Sequence, residues 1–349
     1  MAYFRNIPQI QEMLKLFNRE ESWLILINAD PDAIASSMAL SRIMSHRVKT
    51  VEIVRINEIK RPDNLAMIRS LRVHLKKFSL AMLKTFNRFA LVDSQPHHSP
   101  VFEKIPFSII IDHHPLPREN AAASAAAHST PYVEVHPELG ACSTILTEYL
   151  YNLKIRPGKL LATALQYGIK SDTLGFARLF HDTDLHAYHY LAKFADQPRL
   201  IRIARSEFHK RWLPFFAKAC LNLHKAGTGR YVYIGNVENP DILVVIADFL
   251  TRVEEFRWVA VAGRYGETVV VIYRGDGSRD IGRLAAAHFS GISSAGGHHM
   301  LARAEFPASI VGNGNIEEFV AKRIQGHHKP KAARTTVSPN PRANTTAPS

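Results

Sequence analysis

Two rhythms of apolar and polar positions run along the chain. Trp23-Leu24-Ile25-Leu26-Ile27, Val51 to Ile56, Phe89-Ala90-Leu91-Val92 and Ser108-Ile109-Ile110-Ile111 are short, nearly unbroken apolar runs. Such runs read as strands buried on both faces, the habit of parallel sheets. Between them the spacing turns helical. Ile10, Met13, Leu14 and Phe17 share one face of a predicted helix over residues 7–17, and Ala33 to Met44 predicts another. Cys142 to Leu153, Lys159 to Gly168 and Leu185 to Ala195 continue the series. Strands alternating with helices predict βαβ units, hence an α/β fold with a mostly parallel sheet and flanking helices. The Ala/Ser-rich stretch Glu119 to Thr130 reads as a loop or a weak helix.

The pattern changes after about Asp196. Arg199 to Lys225 reads as mostly helical and as a bridge. Short strands follow at Tyr231 to Ile234, Trp258 to Ala262 and Thr268 to Tyr273, with a helix over Ile242 to Glu255. This predicts a second, smaller α/β unit. The expected organisation is a larger domain over 1–196, a helical linker over 197–228, a smaller domain over 229–325 and a basic tail over 326–349. That tail is Lys, Pro, Ala, Thr, Ser and Asn with almost no large apolar residue, which predicts disorder. His327-His328 falls within it and reads as solvated.

Composition adjusts this picture in three places. At 46% hydrophobic and 21% charged, the 349 residues suit a soluble globular protein of two domains. The formal net charge of +13 favours a polyanionic partner such as a nucleic acid or nucleotide. No apolar run approaches the ~20 residues of a membrane helix. The start, Met1-Ala2-Tyr3-Phe4-Arg5, lacks signal-peptide features, and Cys142 and Cys220 stand far apart like free thiols. The expectation is a cytoplasmic protein that engages no membrane.

Candidate chemistry collects where the elements end. Asp112-His113-His114 follows the run Ser108 to Ile111 directly, and Pro115 ends regular structure. One carboxylate and two imidazoles at a strand tip suggest a metal site, because ligands of open α/β sheets bind at the C-terminal strand edge. In Asp30-x-Asp32, residues two apart on an extended segment aim both carboxylates to one side; Asp32 can instead cap the helix that follows. Ser36 and Ser37 in the first turn of that helix can meet a phosphate. Asp93 follows the third strand. Asp172, in Gly168-Ile169-Lys170-Ser171-Asp172-Thr173, is read as opening a loop. Carboxylates mixed with imidazole suit Mn²⁺ or Mg²⁺ better than a thiolate-preferring metal. Two such ions ~3.5–4 Å apart can activate water against a phosphoryl group, which requires a bridging carboxylate. In the smaller unit, Ser294-Ala295-Gly296-Gly297-His298 offers amides to an anion or makes a tight turn. Arg274 can supply a charged contact.

This ordered set resembles the DHH/DHHA1 phosphoesterase family. The matching residues are Asp30-Pro31-Asp32-Ala33, Asp93, Asp112-His113-His114-Pro115, Gly168 to Thr173 and Ala295-Gly296-Gly297-His298, spanning about residues 24–305. The likeness is nearest to the shorter nanoRNase (oligoribonuclease) and nucleoside-bisphosphate phosphatase members, which are related to RecJ. It implies a larger DHH catalytic domain with two Mn²⁺-type ions and a smaller DHHA1 substrate-binding domain. Asp93 would bridge the ions. Asp32, His113 and Asp172 would complete one site, and Asp30, with Asn28 as a possible neutral ligand, would belong to the other. His114 would contact the scissile phosphate or help activate it. Arg274 and His298, with Gly296 and Gly297, would hold the substrate's far end.

The pattern departs in two places. Leu26 stands where the family usually carries a histidine, and Ala295 replaces a third glycine. The implied activity is metal-dependent hydrolysis of short oligonucleotides, linear dinucleotides or nucleoside 3′,5′-bisphosphates, by an enzyme that can form a homodimer. Leu26 motivates the alternative, a nucleotide-binding regulatory protein with an impaired metal site.

Overall fold

The computed structural model describes residue 4 and residues 7–115, 130–206, 208–292, 295–297 and 299–326. Most of the Glu119–Thr130 stretch and the tail beyond Gly326 lie outside the described residues. The chain divides into two compact units, Met1–His209 and Lys210–Ser349.

The first unit is a six-stranded sheet in the order β3-β2-β1-β4-β5-β6. Its strands are β1 (Ser22–Ile27), β2 (Thr50–Arg55), β3 (Lys76–Lys77), β4 (Arg88–Val92), β5 (Ile109–Asp112) and β6 (Tyr132–Val135). Every pairing is parallel. The order runs outward from β1 in both directions, so the chain reverses between β1 and β4. Crevices form at such a reversal, outside the carboxyl ends of the strands.

The seven helices described in this unit are α1 (Ile10–Lys15), α2 (Pro31–Met44), α3 (Pro62–Leu71), α4 (Cys142–Asn152), α5 (Lys159–Asp172), α6 (Asp182–Ala192) and α7 (Gln197–Ala204). Strand β1 explains the unbroken apolar run. Trp23, Ile25 and Ile27 join the large core formed with α2, α4 and α5. Leu24 and Leu26 face the other way, into a second apolar layer with Phe89, Leu91 and Phe102. Both faces of the strand are covered, so every residue after Ser22 is apolar and buried.

The second unit is a mixed sheet, β11-β12-β10-β9-β8-β7. Its strands are β7 (His224–Ala226), β8 (Gly229–Asn236), β9 (Trp258–Tyr265), β10 (Thr268–Gly275), β11 (Gly296–Gly297) and β12 (Leu301–Pro307). Only β8 and β9 pair in parallel; the other pairs are antiparallel. On one face the core holds Ala219 of α8 (Leu213–Leu221) and Ile242, Leu243 and Ile246 of α9 (Asp241–Leu250). On the other it holds Ile281 and Leu284 of α10 (Ile281–His288) and Val320 and Ile324 of α11 (Ile316–Gly326). Gly229 is required here, because a Cβ at that position would stand 2.1 Å from the Trp258 ring. No described helix is long and apolar enough to cross a membrane.

Candidate metal centre

Four strand or helix ends of the first unit bring the sequence-marked groups together. Asp30 precedes α2 in an extended conformation and caps it, its Oδ1 accepting the Ala33 amide at 2.9 Å. The cap is therefore Asp30 and not Asp32. Pro31 explains the difference: its fixed φ and missing N–H suit the first helical position, which places the cap one residue before it.

Asp32, fully buried, reaches across instead to the start of α4. Its Oδ2 accepts the Cys142 amide at 2.6 Å and its Oδ1 the Ser143 amide at 2.8 Å. It thus ties two helix N-termini into one corner. Ser36 is also fully buried and hydrogen-bonds within the protein, donating to Asp32 at 3.4 Å and meeting Ser143 Oγ at 3.3 Å. The phosphate contact expected of Ser36 is replaced by support for Asp32. Ser37 donates to its own helix at Ile34 O.

Asp93 follows β4 with φ +59°, a left-handed conformation that Asp and Asn tolerate better than most residues. Its amide continues the sheet ladder by donating to Ile111 O at 2.8 Å. Asp172 is the last residue of α5, not the first of a loop. The apolar rhythm stops near Ile169 because the final turn is polar, yet the helix runs on to present the carboxylate.

His113 sits among these carboxylates. Its Nδ1 donates to Leu139 O at 3.2 Å, which leaves the Nε2 lone pair facing inward. Nε2 lies 3.4 Å from Asp93 Oδ1, 3.3 Å from Asp172 Oδ2 and 4.0 Å from Asp32 Oδ2. The ligand atoms of Asp32, His113 and Asp172 lie within 4.8 Å of one another, and those of Asp93, His113 and His114 form a second such set.

His114 is more open, its side chain 43% exposed. Its Nδ1 meets Asp112 Oδ1 at 2.8 Å, and the other Asp112 oxygen accepts from Gln95 Nε2 at 2.7 Å. Asp112, the first letter of the triplet, is thus spent on orienting its neighbour.

The electrostatics follow from crowding. Burial first, then Asp172, pushes the Asp30 carboxyl up to about 7. Burial and Asp172 likewise push Asp32 up to about 6. Burial, reinforced by Asp32 and Asp30, drives Asp93 well above the ordinary carboxylate range. Burial alone would lower His113, but Asp172 and Asp32 outweigh it and raise the imidazole to about 9. Asp112 goes the other way: burial would raise it, yet the bonds from His114 and Gln95 hold it below its usual value. The Asp112 bond in turn raises His114.

Like charges are held together here at a cost that a cation removes. Asp93 Oδ1 and His113 Nε2 are hidden from solvent and have no hydrogen-bond partner. Two buried ligand atoms without a hydrogen-bond partner, set among crowded carboxyl groups, fit a divalent ion with oxygen and nitrogen ligands.

Three residues not singled out from sequence belong to this corner. Asn57 pins the segment before Asp30, accepting the Ala29 amide at 2.7 Å and donating to Ala29 O at 3.0 Å. Gln95 holds Asp112 and also donates to His114 O at 2.8 Å. His98 groups with Asp112 and His114. Asn57 and Gln95 each lie just past a strand's C-terminal end, the criterion that marked Asp93 and Asp112. Leu26 is buried and pairs in register with Leu91. It faces the apolar layer, so no imidazole reaches the Asp30 side from that position. Asn28 is exposed at the tip of β1.

In the second unit, Arg274 is engaged by Asp248, with Nε to Oδ1 at 2.6 Å. Gly297 serves a close backbone approach, since a Cβ there would meet Leu301 O at 2.3 Å. Gly296 faces open space. His298 lies outside the described residues.

No protein-family model matches the chain. An uncharacterized protein of Methanocaldococcus jannaschii is 33% identical over 301 residues, or 86% of this chain. The chain spans 60% of that protein's length. Among solved structures, an exopolyphosphatase-related protein of Bacteroides fragilis matches with a TM-score of 0.71 at 15% identity, over 94% of this chain and 98% of its own. The chain has the DHH/DHHA1 fold. RecJ of Thermus thermophilus, solved with Mn²⁺, shares it at a TM-score of 0.52 and 12% identity, over 93% of this chain and 55% of that one. A manganese-bound exonuclease RecJ matches at 0.50 and 12%, over 94% and 96%. The DHH part corresponds to the parallel sheet that carries the candidate centre, and the DHHA1 part to the mixed sheet.

Proposed function

We propose that the chain is a metal-dependent phosphoesterase acting on short oligonucleotides, linear dinucleotides or nucleoside 3′,5′-bisphosphates. The observation that carries this reading is the pair of buried, unsatisfied ligand atoms, Asp93 Oδ1 and His113 Nε2, at the carboxyl edge of a parallel sheet. Asp32, His113 and Asp172 would hold one Mn²⁺ or Mg²⁺ ion, Asp30, with Asn28, would serve a second, and Asp93 would be their shared ligand. Bound there, the cations supply Lewis acidity to a water and to the phosphoryl group.

The protein's own part is orientation and proton handling. Asp32, fastened to the α4 amides, cannot swing away. Asp112 and Gln95 fix the His114 ring, so its outer nitrogen can donate a proton to the leaving oxygen. Water adds at phosphorus and gives up one proton to solvent, the ester P–O bond breaks, and the leaving group, protonated by His114, departs as an alcohol. The net charge of +13 agrees with an anionic substrate. For the second unit the reading keeps an anion-binding role for Gly296 and Gly297, with Arg274 steadied by Asp248.

A second reading, nucleotide binding without turnover, is favoured by Leu26, which leaves the Asp30 shell without its imidazole. Hydrolysis separates the two. With Mn²⁺ and a panel of 5′-phosphorylated dinucleotides and nucleoside bisphosphates, the wild type should release mononucleotide or phosphate. Asp93→Asn should be slower by roughly 100-fold or more. Tight nucleotide binding with no turnover on any of these esters would favour the second reading.

A further inference from the structure

His98 follows β4 by six residues and stands beside His114, with ring centroids 5.3 Å apart at 83°. Its Nδ1 accepts the Gln95 amide at 3.1 Å. That amide cannot turn away, because the buried Gln95 side chain is anchored to Asp112 Oδ2 and His114 O. A neutral imidazole whose Nδ1 accepts carries its proton on Nε2. The backbone therefore sets the tautomer, and His98 offers a donor. The same bond argues against His98 as a metal ligand: Nδ1 is occupied and Nε2 is protonated. Among the described residues the Asp112 oxygens pair with His114 and Gln95, and no hydrogen bond runs from His98 to them. His98 is an exposed residue, so its ring can meet a ligand that arrives from solvent.

The carboxylates of Asp30, Asp32, Asp93, Asp112 and Asp172 repel phosphoryl oxygens wherever neither a cation nor a donor lines the approach. A lysine in this place would be drawn into an ion pair with a carboxylate. A neutral imidazole can donate without that competition. We propose that His98 is a further substrate-binding residue, donating Nε2–H to a non-bridging phosphoryl oxygen. The proposal rests on the phosphoesterase reading and names a contact to its substrate.

The test is binding of AMP, a phosphate monoester, to the full chain loaded with Mn²⁺, by titration calorimetry. His98→Ala should weaken AMP by roughly 10- to 100-fold, the worth of one hydrogen bond to a charged group, with Mn²⁺ affinity unchanged. His98→Gln, whose amide nitrogen reaches to about the same place, should recover most of the loss, and a thermal melt of each variant confirms folding. In hydrolysis the His98→Ala loss should appear in KM more than in kcat. An AMP affinity for His98→Ala within about twofold of the wild type would overturn the proposal. A parallel fall in Mn²⁺ affinity would also overturn it, because His98 would then be a ligand. Absence of AMP binding to the wild type would overturn it as well. Failure of the enzyme reading looks different: the wild type binds AMP with a His98-dependent affinity but hydrolyses no ester.

Discussion

Single residues decide this centre through the company they keep. Asp93 is held at φ +59°, buried, and surrounded by other carboxylates. Asn tolerates the same backbone and removes the charge, so Asp93→Asn should fold with a melting temperature at or above the metal-free wild type. Calorimetry should show Mn²⁺ affinity falling by roughly 100-fold or more, because the carboxylate proposed as the shared ligand would lose its charge. The pH dependence follows from directions of shift. Asp30 and Asp32 are raised to about 7 and about 6, so the folded state holds protons that the unfolded chain releases. Their contribution to the stability of metal-free protein is present at low pH and lost as pH rises through 6 to 7. His113, raised to about 9, contributes below its ordinary value and loses that contribution as pH rises through about 9. Both act in the same sense. Metal-free protein in chelator should therefore melt at progressively lower temperature from pH 5 to pH 9, while added Mn²⁺ stabilises more at the alkaline end. A flat melting profile in chelator would contradict this account of the carboxylates. From sequence, Asp93 and the triplet were legible because strand tips in α/β sheets collect ligands. The division of labour within the triplet was not: Asp112 orients while His113 faces the carboxylates, and only the Leu139 carbonyl and Gln95 amide reveal it.

At the scale of elements, the corner depends on α2, α4 and α5 approaching closely. Gly168 permits this. A Cβ there would stand 2.4 Å from Ser143 Oγ and 3.0 Å from Asp32 Oδ1. Gly168→Ala should push α5 away from α2 and α4 and cost about 1–3 kcal/mol in denaturant unfolding. Because the same shift moves Asp172 against Asp32, Mn²⁺ affinity should fall with it. Loss of stability with unchanged affinity would show that the helix contact and the ligand geometry are separable. The elements easiest to read were those with one rhythm throughout. Strands β1, β4 and β5 are buried on both faces and apolar but for one terminal residue each, Ser22, Arg88 and Asp112. Strand β12 is different: Ala302, Ala304 and Phe306 are buried between exposed Arg303 and Pro307 and half-buried Glu305. Small alanines carry little apolar signal, and pairing with β10 supplies what the local pattern lacks. Helix α3 escaped notice for a similar reason, since its buried face includes Asp63 and Asn64.

The whole molecule consists of two compact units with separate cores. Each of the assigned ligands, Asp30, Asp32, Asp93, His113 and Asp172, lies within Met1–His209, and that unit has its own large apolar core. Residues 1–209 alone should therefore fold and bind Mn²⁺ with the stoichiometry of the full chain, measured by calorimetry. A lower stoichiometry would place a ligand in the second unit. The α/β class was legible because hydrophobic period reports layer and strand type. The units part between His209 and Lys210, within the segment read as a helical linker, where helices on both sides look alike in sequence. The central claim, that the crowded carboxylates exist to hold cations for phosphoester hydrolysis, has a direct test. Full-length protein is incubated with a 5′-phosphorylated dinucleotide, with Mn²⁺ or with chelator, beside Asp93→Asn. The account predicts mononucleotide release that requires Mn²⁺ and is lost in the variant. Mn²⁺ bound by the wild type with no release of mononucleotide, or release that Asp93→Asn leaves intact, would contradict it.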